Sequence, residues 1–315
     1  MANYKAIHKM AKNLIFKICL CFVIFMSSVI YGAEPEDVTS PLIPDPINAN
    51  WLFSGVVENE NGENFGYFFQ MQRENEHFHT TVALFDGQTK SAILLDESDA
   101  YIHDVAPYNW HVGRSFLRFN PINDSWIFGV KTKAKIGFNF KVDMLQGSTN
   151  TQVAQGLRPG VEFLVNQTGH LNGHIQIDKD SKEQFVTAKN AWFRQVWLTA
   201  NEDKKQQFSG VLCRFNNGSG FYSVNTTESD ALRGAVAGWQ DAHGVSATMS
   251  QFINVNQAPE GPWHIRISSP NIHLVLNNFI KQNSMVAGFV SQGNEPGFCA
   301  LSKNVFGNEA DISTG

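Results

Sequence analysis

Charge is scarce in this chain. Asp, Glu, Lys and Arg together make up 17% of its 315 residues. Past the N-terminal segment, no apolar run approaches the roughly 20 residues a helix needs to cross a bilayer. No basic patch is interleaved with aromatics, so nothing in the pattern invites nucleic acid. There is no phosphate-cradling glycine loop, no Gly-x-Ser-x-Gly elbow and no Cys–His pair. Helical periodicity is absent after the first 33 residues. Cysteine is sparse too, at four. Two of these, Cys19 and Cys21, lie in the N-terminal segment without the small residues before them that lipid attachment requires. These absences exclude a nucleotide-phosphate enzyme, a serine or cysteine hydrolase and a helical membrane protein. They lead us to expect no cofactor and no metal centre.

What is present begins with a secretory lead. Lys5, Lys9, Lys12 and Lys17 precede the apolar stretch Ile18–Met26, and Gly32-Ala33 offers a cleavage site. Residues 1–33 are therefore expected to be a signal peptide and the product to be secreted or periplasmic, not an integral membrane protein once processed. Processing leaves 20 basic against 29 acidic residues, a net charge of −9, which again disfavours nucleic acid and anionic membranes. Cys213 and Cys299 remain, and an even count in an exported chain predicts a disulfide between them.

The 25 Phe and 25 Gly suit short strands with bulky inward side chains and tight turns. Residues 34–50, with Pro35, Pro41, Pro44 and Pro46, read as an extended lead-in. Strands follow, punctuated by hairpin signals at Asn61-Gly62 and Asp86-Gly87. The clearest is Ile136–Leu145: Ile136, Phe138, Phe140, Val142 and Met144 share one face, while Asn139, Lys141 and Asp143 share the other. Residues 96–110 break the pattern and read as a loop, and 147–156 as a polar linker. Near residue 200 the vocabulary restarts. Phe53-Ser54-Gly55 returns as Phe208-Ser209-Gly210, and Gly66-Tyr67-Phe68 as Gly220-Phe221-Tyr222. Repetition in order predicts a duplicated unit. The fold class is accordingly all-β, a tandem of two lipocalin-like antiparallel β-barrels over residues 51–198 and 199–307, with a C-terminal tail at 308–315. A single β-sandwich is the alternative.

Trp51, Gly55, Phe65-Gly66-Tyr67 and Arg73, then Leu117, Trp126, Phe138 and Val142, then Leu171-Asn172-Gly173-His174 and Ala191-Trp192-Phe193, resemble a known family in order and spacing. It comprises the two-barrel proteins grouped with carotenoid 1,2-hydratase (hydroxyneurosporene synthase) and the AttH-type proteins. Ala49, Asn50 and Leu52 depart from its opening motif. The resemblance implies tandem barrels holding apolar substrates between or within them, and in some members addition of water to an isoprenoid double bond. In those hydratases an Asp after the aromatic pair donates the proton. Arg194 stands there in this chain. Protonating an alkene carbon needs an acid that releases its proton, and a guanidinium does not.

Three functions follow as expectations. The first is an exported lipocalin-like protein binding an apolar or amphipathic small molecule without the hydratase chemistry. In it Trp51, Tyr67, His79, Trp192, Arg194 and Trp197 line the site, Arg194 clamping an anionic head between Trp192 and Trp197. The second is a hydratase or cyclase of an isoprenoid or polyene, with His79, facing a barrel interior, as the catalytic candidate. The third is a secreted interaction protein with both barrels filled. His77 and His79 share one strand face, the spacing of a metal pair, but a solvated pair is the simpler expectation. Asp143 and Glu162 are expected to face solvent.

Overall fold

The computed structural model describes residues 46–103, 106–144, 154–168, 170–189, 191–199, 206–228, 231–243, 245–249, 253–259, 261–268 and 271–306. The expected signal peptide, most of the lead-in and the C-terminal tail lie outside them. All regular structure in the described residues is β. The first half comprises β1 (Asn48–Asn59), β2 (Asn64–Glu74), β3 (His77–Asp86), β4 (Ala92–Tyr101), β5 (Asn109–Val112), β6 (Ser115–Asn120), β7 (Ser125–Lys131), β8 (Gly137–Asp143), β9 (Gln155–Arg158), β10 (Val161–Thr168), β11 (His170–Gln176), β12 (Gln184–Ala188) and β13 (Ala191–Leu198). The second comprises β14 (Gln206–Phe215), β15 (Gly220–Glu228), β16 (Ala231–Gln240), β17 (Ser246–Met249), β18 (Asn254–Gln257), β19 (Trp263–Ile267), β20 (Ile272–Leu276), β21 (Phe279–Gln282), β22 (Met285–Gln292) and β23 (Glu295–Phe306).

In the first barrel the strands run β4-β3-β2-β1-β12-β11-β8-β7-β6-β5, with β13, β10 and β9 branching from β1. β5 comes back against β3 and β4, and Trp110 on β5 meets Phe78 on β3 at 5.7 Å between ring centroids. The sheet thus nearly closes, which removes most of its exposed edge. β4 extends through Tyr101 and β5 starts at Asn109, so much of the expected 96–110 loop is strand. Pairing with β3, His77 opposite Tyr101, carries β4 through residues whose polarity hid it. β9 likewise takes up the end of the expected 147–156 linker.

The second barrel is built from the sheet β17-β16-β15-β14-β23-β22-β21 and the sheet β18-β19-β20, with β20 against β22. Cys213 and Cys299 sit directly opposite each other on β14 and β23 and form the predicted disulfide. This bond belongs to an oxidising, extracytoplasmic environment.

Period-two alternation divides the apolar residues into three cores. Trp51, Phe53, Tyr67, Phe69, Phe128 and Phe140 belong to the core inside the first barrel. Val211, Phe221, Ile265, Leu274 and the disulfide fill the second. Leu52, Phe68, Phe163, Trp192, Phe208 and Phe298 form a layer between them. The sequence repeat holds at the level of strands, since β1 and β14 each lie between the same kinds of neighbour. It does not hold face by face. Phe53 points into its own barrel, whereas Phe208 points into the shared layer. One residue of register reverses every side chain, and it has turned this copy outward.

The layer is tight at Gly66. A Cβ there would lie 2.5 Å from the ring of Phe298, itself buried. Gly66→Ala is expected to destabilise the protein by roughly 2 kcal/mol through overpacking, measured by urea unfolding. A change below about 0.5 kcal/mol would mean the two barrels are not pressed together at this point.

Candidate functional site

β13 carries Trp192, Arg194 and Trp197 of the residues singled out from the sequence, and its alternation separates them. Trp51 pairs with Gln195, and Phe53 with Phe193. Phe193 and Trp197 pack in the first barrel's core, whereas Trp192 and Val196 pack in the shared layer. The expected Trp192–Arg194–Trp197 clamp is therefore split: Trp197 has the opposite parity and faces away from Arg194. Trp192 is committed to the second barrel. Its Nε1 donates to the Cys213 carbonyl at 2.9 Å, and its ring meets Tyr222 edge-on.

Arg194 is 1% exposed. Its Nη2 donates to Asn50 Oδ1 at 2.9 Å, while Nε and Nη1 have no partner. A Cβ at Gly210 would come within 2.8 Å of Nη1, so the guanidinium lies against bare β14 backbone. Burial pulls its pKa down to about 10, which leaves it charged at neutral pH. A buried cation with a single neutral acceptor is electrostatically exposed to any anionic group that reaches it.

Trp51 and Tyr67 point into the first barrel, where both are fully buried in its core. Trp51 lies 4.6 Å from Trp110 between centroids, and Tyr67 makes an edge contact with Phe140. The Tyr67 hydroxyl is buried without a partner, against Gly55, and burial raises its pKa. His79 is a correction. It lies on the outer face of β3, opposite in parity to Phe78, Val82 and Leu84, which enter the core. Its Nδ1 is 2.9 Å from Asp99 Oδ1 and its Nε2 is 3.2 Å from Thr81 Oγ1, which in turn meets Ser284 Oγ of the second barrel at 3.2 Å. His77 shares that face and reaches the same Asp99 oxygen at 3.3 Å.

The cleft is not legible from the sequence. β1 pairs with β13 as far as Ser54 and with β12 from Glu58 onward. Over this interruption a cleft of about 570 Å³ opens, lined by Val56, Val57, Glu58, Thr187, Lys189 and Arg214 and closed by the turn 216–218. A smaller cleft of about 180 Å³ adjoins it through Val56, Asn64 and Asn216. Arg214 is largely buried, and its Nη1 donates to the Gly218 carbonyl at 3.4 Å. Burial lowers its pKa to about 10, and the Tyr67 phenol on the far side of β1 partly offsets this. One signal was available: Arg214 interrupts the apolar run Val211-Leu212-Cys213-Arg214-Phe215. Among the described residues, no three or more His, Cys, Asp or Glu side chains gather as a metal-binding group.

No protein-family model matches the chain, and no curated protein matches it. Solved structures do. An AttH protein from Nitrosomonas europaea superposes with a TM-score of 0.57 at 12% identity, covering 82% of this chain and 93% of that one. Kievitone hydratase from Nectria haematococca superposes with a TM-score of 0.55 at 7% identity, covering 82% of this chain and 90% of that one. The chain is similar to both in its lipocalin-like two-barrel fold.

Proposed function

We propose that this is an exported two-barrel protein that binds an amphipathic, anionic small molecule between its barrels and has no hydratase activity. The observation that carries this reading is the cleft at the β12–β13 interruption, about 570 Å³ with the Arg214 guanidinium in its lining. That volume suits a small organic ligand. Val56, Val57 and Ala188 offer apolar contact, and Lys189 and Arg214 offer positive charge. In this reading Arg194, which lines neither cleft, is a deeper cation in the same layer, and a ligand group that reaches it would supply the missing acceptor. Trp51, Tyr67 and Trp197 build the wall of the first barrel, while Trp192 and His79 fasten the barrels together.

The likeness to kievitone hydratase favours a second reading, water addition to an alkene. Against it stands the chemistry of the residues. Arg194 occupies the place of the expected acid and keeps its proton, and Glu58, the carboxylate at the cleft, is exposed.

Native mass spectrometry of the purified chain is expected to show a co-purified small molecule. Thr187→Trp, which fills the cleft from its rim, is expected to lose it while changing stability by no more than about 0.5 kcal/mol. Ligand retained in full by the folded Thr187→Trp variant would refute the site. Turnover of an isoprenoid alkene to its alcohol would favour the second reading.

A further inference from the structure

Away from the cleft, the outer face of the β18-β19-β20 sheet carries two histidines in contact. His264 Nδ1 and His273 Nε2 are 3.1 Å apart, with ring centroids at 5.3 Å and planes inclined by 26°. They are diagonal neighbours: His264 pairs with Val275, and Arg266 with His273. The intervening residues Ile265, Ile267, Ile272 and Leu274 point the other way and are buried in the second core. The hairpin register is thus pinned by apolar packing, and the two imidazoles are presented on a rigid support.

We propose that the His264–His273 pair is a bidentate surface site for a borderline divalent transition metal, copper(II) in preference to zinc(II). Two imidazole nitrogens this close can share one proton in a hydrogen bond. The same spacing also suits adjacent ligands of one metal. Metal–nitrogen bonds of about 2.0–2.1 Å at angles between square-planar and tetrahedral put neighbouring nitrogens about 2.9–3.4 Å apart. A metal therefore needs no rearrangement of the sheet, only loss of the shared proton and a turn of the two rings that brings both lone pairs onto it. Neutral imidazole suits copper, nickel and zinc, and copper(II) leads in intrinsic affinity. Asn256, opposite His264 on β18, offers an amide oxygen nearby, and water completes the shell. The Arg266 guanidinium, opposite His273, opposes the bound charge and sets a limit on affinity.

The test uses the full chain and copper(II) alone, followed by titration calorimetry and electron paramagnetic resonance. One ion per chain is expected, with hyperfine structure from two nitrogens. His264→Ala or His273→Ala reduces a chelate to a single ligand and is expected to weaken binding at least ~10-fold. Arg266→Gln is expected to tighten it. A variant with His77→Gln and His79→Gln removes the competing pair on β3 and is expected to bind as before. Absence of binding at millimolar copper, or undiminished binding by a folded His264→Ala/His273→Ala variant, would overturn the proposal.

Discussion

Removing the Cys213–Cys299 bridge is expected to cost about 4–5 kcal/mol of stability, which corresponds to a fall in Tm of about 10–20 °C. The bridge closes a loop spanning 86 positions, so in the chain-entropy account it withdraws many conformations from the unfolded chain. Both sulfurs are buried in the second core, and reductant should reach them only when that barrel opens. The loss should not stay local. Strands β14 and β23 present one face to the second core and the other to the shared layer, where Leu212, Phe298 and Ala300 pack. Opening that wall therefore loosens the contact with the first barrel as well. The measurement is urea unfolding of the oxidised chain against Cys213→Ala/Cys299→Ala. A difference under 1 kcal/mol would show that the ten-residue pairing of β14 with β23 already restricts the chain without the covalent link.

Arg194→Met should have the opposite sign. The guanidinium is held at a pKa of about 10 by burial alone, a depression equivalent to roughly 3 kcal/mol. The linkage runs so that the penalty is present in full at neutral pH. The folded state binds the proton less tightly than the unfolded one, so stability recovers only as pH rises past about 10. Methionine fills similar space without the charge, although it leaves Asn50 Oδ1 without its donor. The net gain expected for the ligand-free chain is about 1–4 kcal/mol, read as a raised Tm. Under the proposed function the same variant should retain less of the co-purified molecule. Marked destabilisation would mean that Arg194 is held by acceptors strong enough to offset its burial. A stabilised variant with undiminished ligand would remove Arg194 from the binding reading while leaving the cleft in place.

Local chemistry was legible wherever it sits within one hairpin. Asn61-Gly62 makes the β1–β2 turn, with Gly62 at φ +80° and Asn59 Oδ1 accepting from the Asn61 and Glu63 amides. Asp86 Oδ1 accepts from the Gln88 and Thr89 amides in the next turn. The alternation at Phe138, Phe140 and Val142 puts these side chains in the first core. The candidate site was less legible. Alternation says that Arg194 and Trp197 lie on opposite faces, but their nearness in sequence invited a single clamp. For His79, alternation could group it with His77 but not say which side faced the lumen. Arg214 and Lys189 are 25 positions apart in the chain, and only the packing of β14 against the β12–β13 interruption brings them to one cleft.

By itself the sequence determined an all-β chain, the positions of most strands, the doubling of the unit and the pair of cysteines that would meet. Each follows from period two, from turn residues or from composition, which act over a few residues at a time. The tertiary structure alone decided that Phe208 faces the layer and Phe53 the lumen, that Arg194 is buried between the barrels, and where the wall leaves a cleft. Those outcomes depend on the register between distant strands, and a shift of one residue there exchanges inside for outside.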